Sequence, residues 1–107
     1  MLDDTEITLC EPAPAIYFEN GRMVVTDRSK LWFVIVTCEA MRATANPPEK
    51  SLRRLVRYSE FYRELAADAI RRGEDVDGNV WVRESDVVRA RPTHLEAGLH
   101  QRVTARL

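Results

Sequence analysis

Polar and apolar residues mix along most of this chain, but in Leu31-Trp32-Phe33-Val34-Ile35-Val36 polarity disappears. Such a short run, mostly β-branched or aromatic, is too brief for an ordinary helix and suits a strand buried on both faces. Leu31, Phe33 and Ile35 point one way, and Trp32, Val34 and Val36 the other. Small antiparallel sheets usually keep one face wet, so a strand apolar on both sides requires two covers.

The flanking pattern predicts its neighbours. Glu6-Ile7-Thr8-Leu9-Cys10 alternates weakly and reads as a short edge strand. Pro12 and Pro14 then turn the chain into an extended connector, because proline donates nothing to a ladder. Ala15 to Glu19 and Arg22 to Asp27 flank Asn20-Gly21, the pair favoured at the centre of a type I′ hairpin turn. Asp27-Arg28-Ser29 leads into the central strand and completes a three-strand meander. Thr37 ends that strand as the cap of a short helix, with Glu39 in its first turn and Met41 toward the core.

A long helix is predicted over residues 49–72, opened by Asn46-Pro47-Pro48-Glu49 as a capping box and closed by Gly73. Pro48 disfavours a helical Pro47 and moves the start two or three residues on. Leu52, Leu55, Val56, Ser59, Tyr62, Ala66, Ala69 and Ile70 share its apolar face, with Tyr58 and Leu65 at the edge. Asp77-Gly78 turns the chain into Asn79-Val80-Trp81-Val82-Arg83, a further strand. The pattern over 85–91 fits either element. Pro92-Thr93-His94-Leu95-Glu96 opens a second helix, whose stripe is Leu95, Leu99, Val103 and Leu107.

The order of these signals is similar to that of a known family. Ile7-Thr8-Leu9 is followed by Ile16-Tyr17-Phe18, then by a strand ending Val36-Thr37-Cys38-Glu39-Ala40-Met41. A long helix closing on Gly73 and the turn Asp77-Gly78-Asn79-Val80 complete the series. It resembles a family of small bacterial proteins described as domain of unknown function 1488. Members share an I-T-F opening, a V-x-F strand, a strand followed by S-x-E-A-L, and a D-G-x-V turn. The resemblance spans residues 6–88. Here Thr37 stands where Ser is usual and Met41 where Leu is usual, and the Pro-rich connector is shorter than the family's first linker. The resemblance implies an α+β fold with no established activity, and it supplies no functional residues.

Composition narrows the class. A chain of 107 residues with net charge −1 forms one domain with its own core, in the composition range of ordinary soluble globular proteins. Charge sign is segregated. Residues 1–27 hold six acids against Arg22, while residues 50–72 hold seven bases against Glu60, Glu64 and Asp68. Such blocks imply distinct faces rather than a protein coated in positive charge for nucleic acid. Cys10 and Cys38 lack C-x-x-C spacing, which points to a reducing, cytoplasmic setting. The N-terminus lacks the basic segment of a secretion signal, and no apolar run approaches the ~18 residues of a membrane span.

Candidate chemistry is sparse. With Gly73 as position 1, Asp75, Asp77, Gly78, Val80 and Glu84 fall at positions 3, 5, 6, 8 and 12 of a calcium loop. Gly73 supplies no first ligand, and Val80-Trp81-Val82 favours a strand where that motif needs a helix. His94 and His100 are six apart and point different ways on a helix. No metal or cofactor is expected. There is no G-x-S-x-G, Gly-rich phosphate loop or H-E-x-x-H, so the chain reads as non-enzymatic. Trp32, Phe33, Trp81, Tyr17 and Phe18 read as core packing under helices rather than as a stacking platform for single strands.

One feature breaks a local rule. Lys50, Arg53, Arg54 and Arg57, with Phe61, fall within one arc of the first half of the long helix. Cations near a helix N-terminus oppose the macrodipole. These residues are the candidate partner-binding or nucleic-acid-binding site. The expected architecture is a small antiparallel sheet, a meander of three strands plus one or two more, in a domain over residues 1–91. The long helix packs on one face. The C-terminal helix of residues 92–107, packed on the domain or appended to it, or a second copy of the chain covers the other. The expected role is a binding or regulatory module acting on an unknown protein partner or as a homodimer. The alternative is an accessory nucleic-acid-binding protein using the basic arc.

Overall fold

Trp32, Val34 and Val36 are buried on one face of the expected central strand, and the fold is assembled over them. The computed structural model describes residues 6–90. They form β1 (Thr8–Tyr17), β2 (Asn20–Thr26), β3 (Leu31–Val36), α1 (Cys38–Thr44), α2 (Leu52–Arg57), α3 (Ser59–Arg71), β4 (Asn79–Val82) and α4 (Glu84–Ala90). The fold is α+β. Its sheet has the order β1-β2-β3-β4, antiparallel except for the parallel pair β3–β4.

The parallel pair follows from the crossover. Three helices separate β3 from β4, and a chain that returns over one face re-enters beside its starting strand in the same direction. Val34 lies opposite Val80 and Val36 opposite Val82. With Met23 and Val25 of β2 they form a buried apolar layer under the helices. Leu55, Tyr62, Ala66, Met41 and Val87 pack on that layer and are fully buried. Leu9 and Ile16 of β1 reach the same core from the sheet edge.

Both expected β-segments before residue 20 belong to one strand. Cys10 pairs with Val24 and Ala15 with Arg22, so Glu11-Pro12-Ala13-Pro14 bulges out of the ladder. The prolines occupy the stretch that has no regular pairing. The hairpin is also displaced by two residues. Tyr17 pairs with Asn20, which puts Phe18 and Glu19 at the turn, with Phe18 at φ 58°.

Asn20 and Gly21 have tertiary roles instead. The Asn20 side-chain carbonyl accepts the Cys38 N–H at 3.1 Å, and so supports the start of α1. Gly21 admits Leu55: a Cβ at position 21 would lie 2.6 Å from Leu55 Cδ1. The expected cap of α1 is present, with Thr37 Oγ1 accepting the Ala40 N–H at 3.0 Å.

The long helical segment is interrupted at Tyr58 (φ −107°, ψ 22°) and starts at Leu52, capped by Ser51 rather than Asn46. Ser51 Oγ accepts the Arg54 N–H at 3.1 Å. Pro48 keeps residue 47 out of helical geometry, so the earlier cap has no helix to serve. Buried positions run through Arg54, Leu55, Phe61, Tyr62, Ala66, Ala67 and Ala69, while Leu52 and Val56 face solvent. The buried stripe is therefore rotated toward Phe61 relative to the expected one. Its end is as expected. Gly73 adopts φ 77°, and the N–H groups of Gly73 and Glu74 bond to the carbonyls of Ile70 and Ala69, each at 2.9 Å.

Asp77 and Gly78, at φ 51° and 79°, form the turn between Val76 and Asn79. The undecided stretch after β4 is helical. Asp86 Oδ2 accepts the Arg83 N–H at 2.8 Å at its start, and Val87 is fully buried as α4 packs on α1. The helix expected over 92–107 lies outside the described residues. Among the described residues no helix is long and apolar enough to cross a membrane.

Candidate functional site

The basic arc expected on the long helix does not form one surface. Lys50 precedes α2 and pairs with Glu19 of the hairpin turn at 2.9 Å. That contact holds the Glu19 carboxyl below the usual carboxylate range, first through the hydrogen bond and then through charge. Arg53 and Arg57 are exposed, and the Arg57 guanidinium lies 5.9 Å from the Tyr58 ring.

Arg54 is only 6 % exposed. Its Nη1 donates to the Met41 carbonyl at 2.8 Å and to the Ala45 carbonyl at 3.2 Å, and Nη2 donates to the Pro47 carbonyl at 2.8 Å. Phe61 is buried too, its ring 5.7 Å from that of Tyr62. These two are corrections to the candidate set. The interruption at Tyr58 and the rotated stripe turn them inward, where Arg54 pins the α1–α2 connection. A buried cation satisfied by backbone carbonyls is a structural clasp.

Beside this clasp, Thr44 Oγ1 donates to the Ala40 carbonyl at 2.7 Å and lies 2.7 Å from the Tyr62 hydroxyl. Burial pushes the Tyr62 phenol up to about 12. Both side chains lie inside the core.

The calcium-loop residues are committed elsewhere. Asp75 Oδ2 accepts the Trp32 indole N–H at 2.9 Å, while Asp77 and Gly78 shape the turn. No cluster of three metal-ligating side chains exists among the described residues. Cys38 is buried and Cys10 partly so, both as free thiols.

The most distinctive surface is the sheet face opposite the helices. Alternation along β3 sends Leu31, Phe33 and Ile35 to that side, with Arg22 and Val24 of β2 and Trp81 of β4 alongside. Exposures are 57 % for Leu31, 44 % for Phe33, 43 % for Trp81, 53 % for Tyr17 and 98 % for Phe18. Of the aromatics expected in the core, only Trp32 is there. The other four lie on this open side because β3 is apolar on both faces and α1–α4 cover one.

Two troughs score the face. One, about 220 Å³, is lined by Pro12, Ala13, Ala15, Tyr17, Val24 and Phe33 with Arg22. The other, about 240 Å³, lies between Tyr17, Phe18, Asn20, Ile35 and Trp81, again beside Arg22. The Arg22 guanidinium separates them, 4.6 Å from the Tyr17 ring and 5.5 Å from the Phe33 ring. Arg83 lies 5.3 Å from the Trp81 ring. No acid lines either trough, and no nucleophile–base pair does. This arrangement presents apolar and aromatic surface edged by arginines. The signal for it was in the sequence: a strand apolar on both sides, with amphipathic helices before residue 91 enough for one.

Comparison with protein-family models, with curated proteins and with solved structures finds no match for this chain.

Proposed function

We propose that this chain is a non-enzymatic binding module whose recognition element is the open face of the sheet. One observation carries the reading: Tyr17, Phe18, Leu31, Phe33 and Trp81 are exposed together on the side that the described helices leave bare. Monomers seldom expose a contiguous apolar patch of that extent without using it for contact with another surface. Aromatic residues and arginine are also the side chains most enriched at protein–protein contacts. The partner is accordingly a protein surface, either a different chain or a second copy. The free thiols fit a cytoplasmic setting. The order of elements fits the resemblance to the bacterial domain of unknown function 1488.

The alternative, nucleic-acid binding through the helix cations, retains only Arg53 and Arg57 as exposed cations without an ion pair among the described residues. That leaves too few phosphate contacts for useful affinity at physiological salt.

A photo-crosslinking phenylalanine analogue at position 33, compared with the same analogue at exposed position 57, tests the proposal in the producing cell. The expected result is a discrete crosslinked protein band from position 33 and none from position 57. Equal, diffuse labelling from both positions overturns it.

A further inference from the structure

We infer that the occupant of the open sheet face is a second copy of this chain, the two sheets packing face to face about a two-fold axis. The inference rests on the reading of that face as a docking surface and names its partner. The first support is area. With about 200 Å² for each large side chain, the exposed fractions of Tyr17, Phe18, Leu31, Phe33 and Trp81 leave about 600 Å² open. A stable interface needs about 800 Å² from each partner, and Ile35 and the Pro12-Ala13 bulge supply more of the same face. Two apolar sheet faces pack as the layers of a sandwich, each becoming the second cover that the other lacks.

Charge separates this occupant from a nucleic acid. The lining cation Arg22 already lies over the rings of Tyr17 and Phe33, as Arg83 does over Trp81, and no carboxylate lines the troughs. A nucleic acid would meet a chain of net charge −1 and pI near 6.1, not the basic domain such a partner requires. A second copy brings aromatic faces to the arginines and carries almost no net charge to oppose association.

Phe18 supplies the self-complementary knob. It is the most exposed large apolar residue described, and its φ of 58° is a conformation that bulky side chains seldom take. Strain that holds an aromatic ring in water points to a use for the ring. In the paired form each Phe18 seats in the other copy's trough beside Phe33, Val24 and Ala15, the reciprocal contact a two-fold interface requires.

Sedimentation equilibrium of the full chain from micromolar to millimolar concentration tests the inference. The expected mass is twice 12.3 kDa. Phe18→Ser and Phe33→Ser should each weaken dimerisation about a hundredfold, since each change occurs twice across the axis. Both side chains are exposed, so circular dichroism should show an unchanged fold, and Phe18→Tyr should retain the dimer. A dimer indifferent to both serine variants overturns the inference, as does a monomer throughout. Acrylamide quenching of Trp81 in a Trp32→Phe background then separates the failures. A monomer with Trp81 shielded, or quenched by an oligothymidylate, overturns the dimer and leaves a docking face. A monomer with Trp81 freely quenched and indifferent to the oligonucleotide overturns the docking face too.

Discussion

Gly21→Ala isolates the contact that displaces the hairpin turn. The new Cβ would stand 2.6 Å from Leu55 Cδ1, 3.0 Å from Cδ2 and 3.3 Å from Cγ. Leu55 is fully buried between α2 and the sheet, so it cannot swing into solvent without opening the core. Overpacking of this kind costs about 1–3 kcal/mol. Alanine offsets about 0.5–1 kcal/mol by narrowing the unfolded ensemble, because Gly21 has no positive φ to strain. The net expectation is a loss of about 1–2 kcal/mol, or roughly 5–10 °C in Tm for a domain of this size. Urea unfolding of the single and double variants measures it. Leu55→Ala alone costs about 3 kcal/mol as a cavity. In that background Gly21→Ala should stabilise by about 0.5–1 kcal/mol, a favourable coupling of about 1–3 kcal/mol. If Gly21 were instead a turn residue, the alanine penalty would be the same whatever stands at position 55. An undiminished penalty in the Leu55→Ala background refutes the close-approach account.

Arg54→Met should lower stability by about 2–4 kcal/mol, because it strips charged donors from the Met41, Ala45 and Pro47 carbonyls. Arg54→Lys should recover little of that loss in urea unfolding, since one ammonium cannot span all three. For Tyr62, the folded phenol at about 12 lies above the ordinary 10, so its stabilising contribution is whole below pH 10 and disappears as pH rises toward 12. A slope in stability between pH 10 and 12 that persists unchanged in Tyr62→Phe would contradict that assignment. Reversing Arg53 and Arg57 together to Glu should leave Tm nearly unchanged, since an acid suits the place of Arg53 in the first turn of α2 and opposes that of Arg57 in its last turn. Retention on a polyanion column should hardly change; a large drop would restore the helix face as a nucleic-acid site.

What was legible in the sequence was local. The run Leu31–Val36 specified a strand through its composition, and Thr37, Gly73 and Asp77-Gly78 specified a cap, a stop and a turn, because each depends on backbone within a few residues. The need for two covers followed from the same run. Local rules failed where a distant partner competed for the residue. Asn20-Gly21 has turn chemistry, but a Cys38 N–H and the Leu55 side chain claim it, and the turn moves to Phe18-Glu19. Arg54 looked like a surface cation until the chain before it folded back and offered three carbonyls to its guanidinium. Whether Phe33 and Trp81 lie under helices or in the open could not be read from alternation, which gives both faces of a strand but not which one the helices choose. That choice belongs to the crossover: α1, α2 and α3 return over a single face, so Trp32 is buried while Phe33, on the next position, is left exposed.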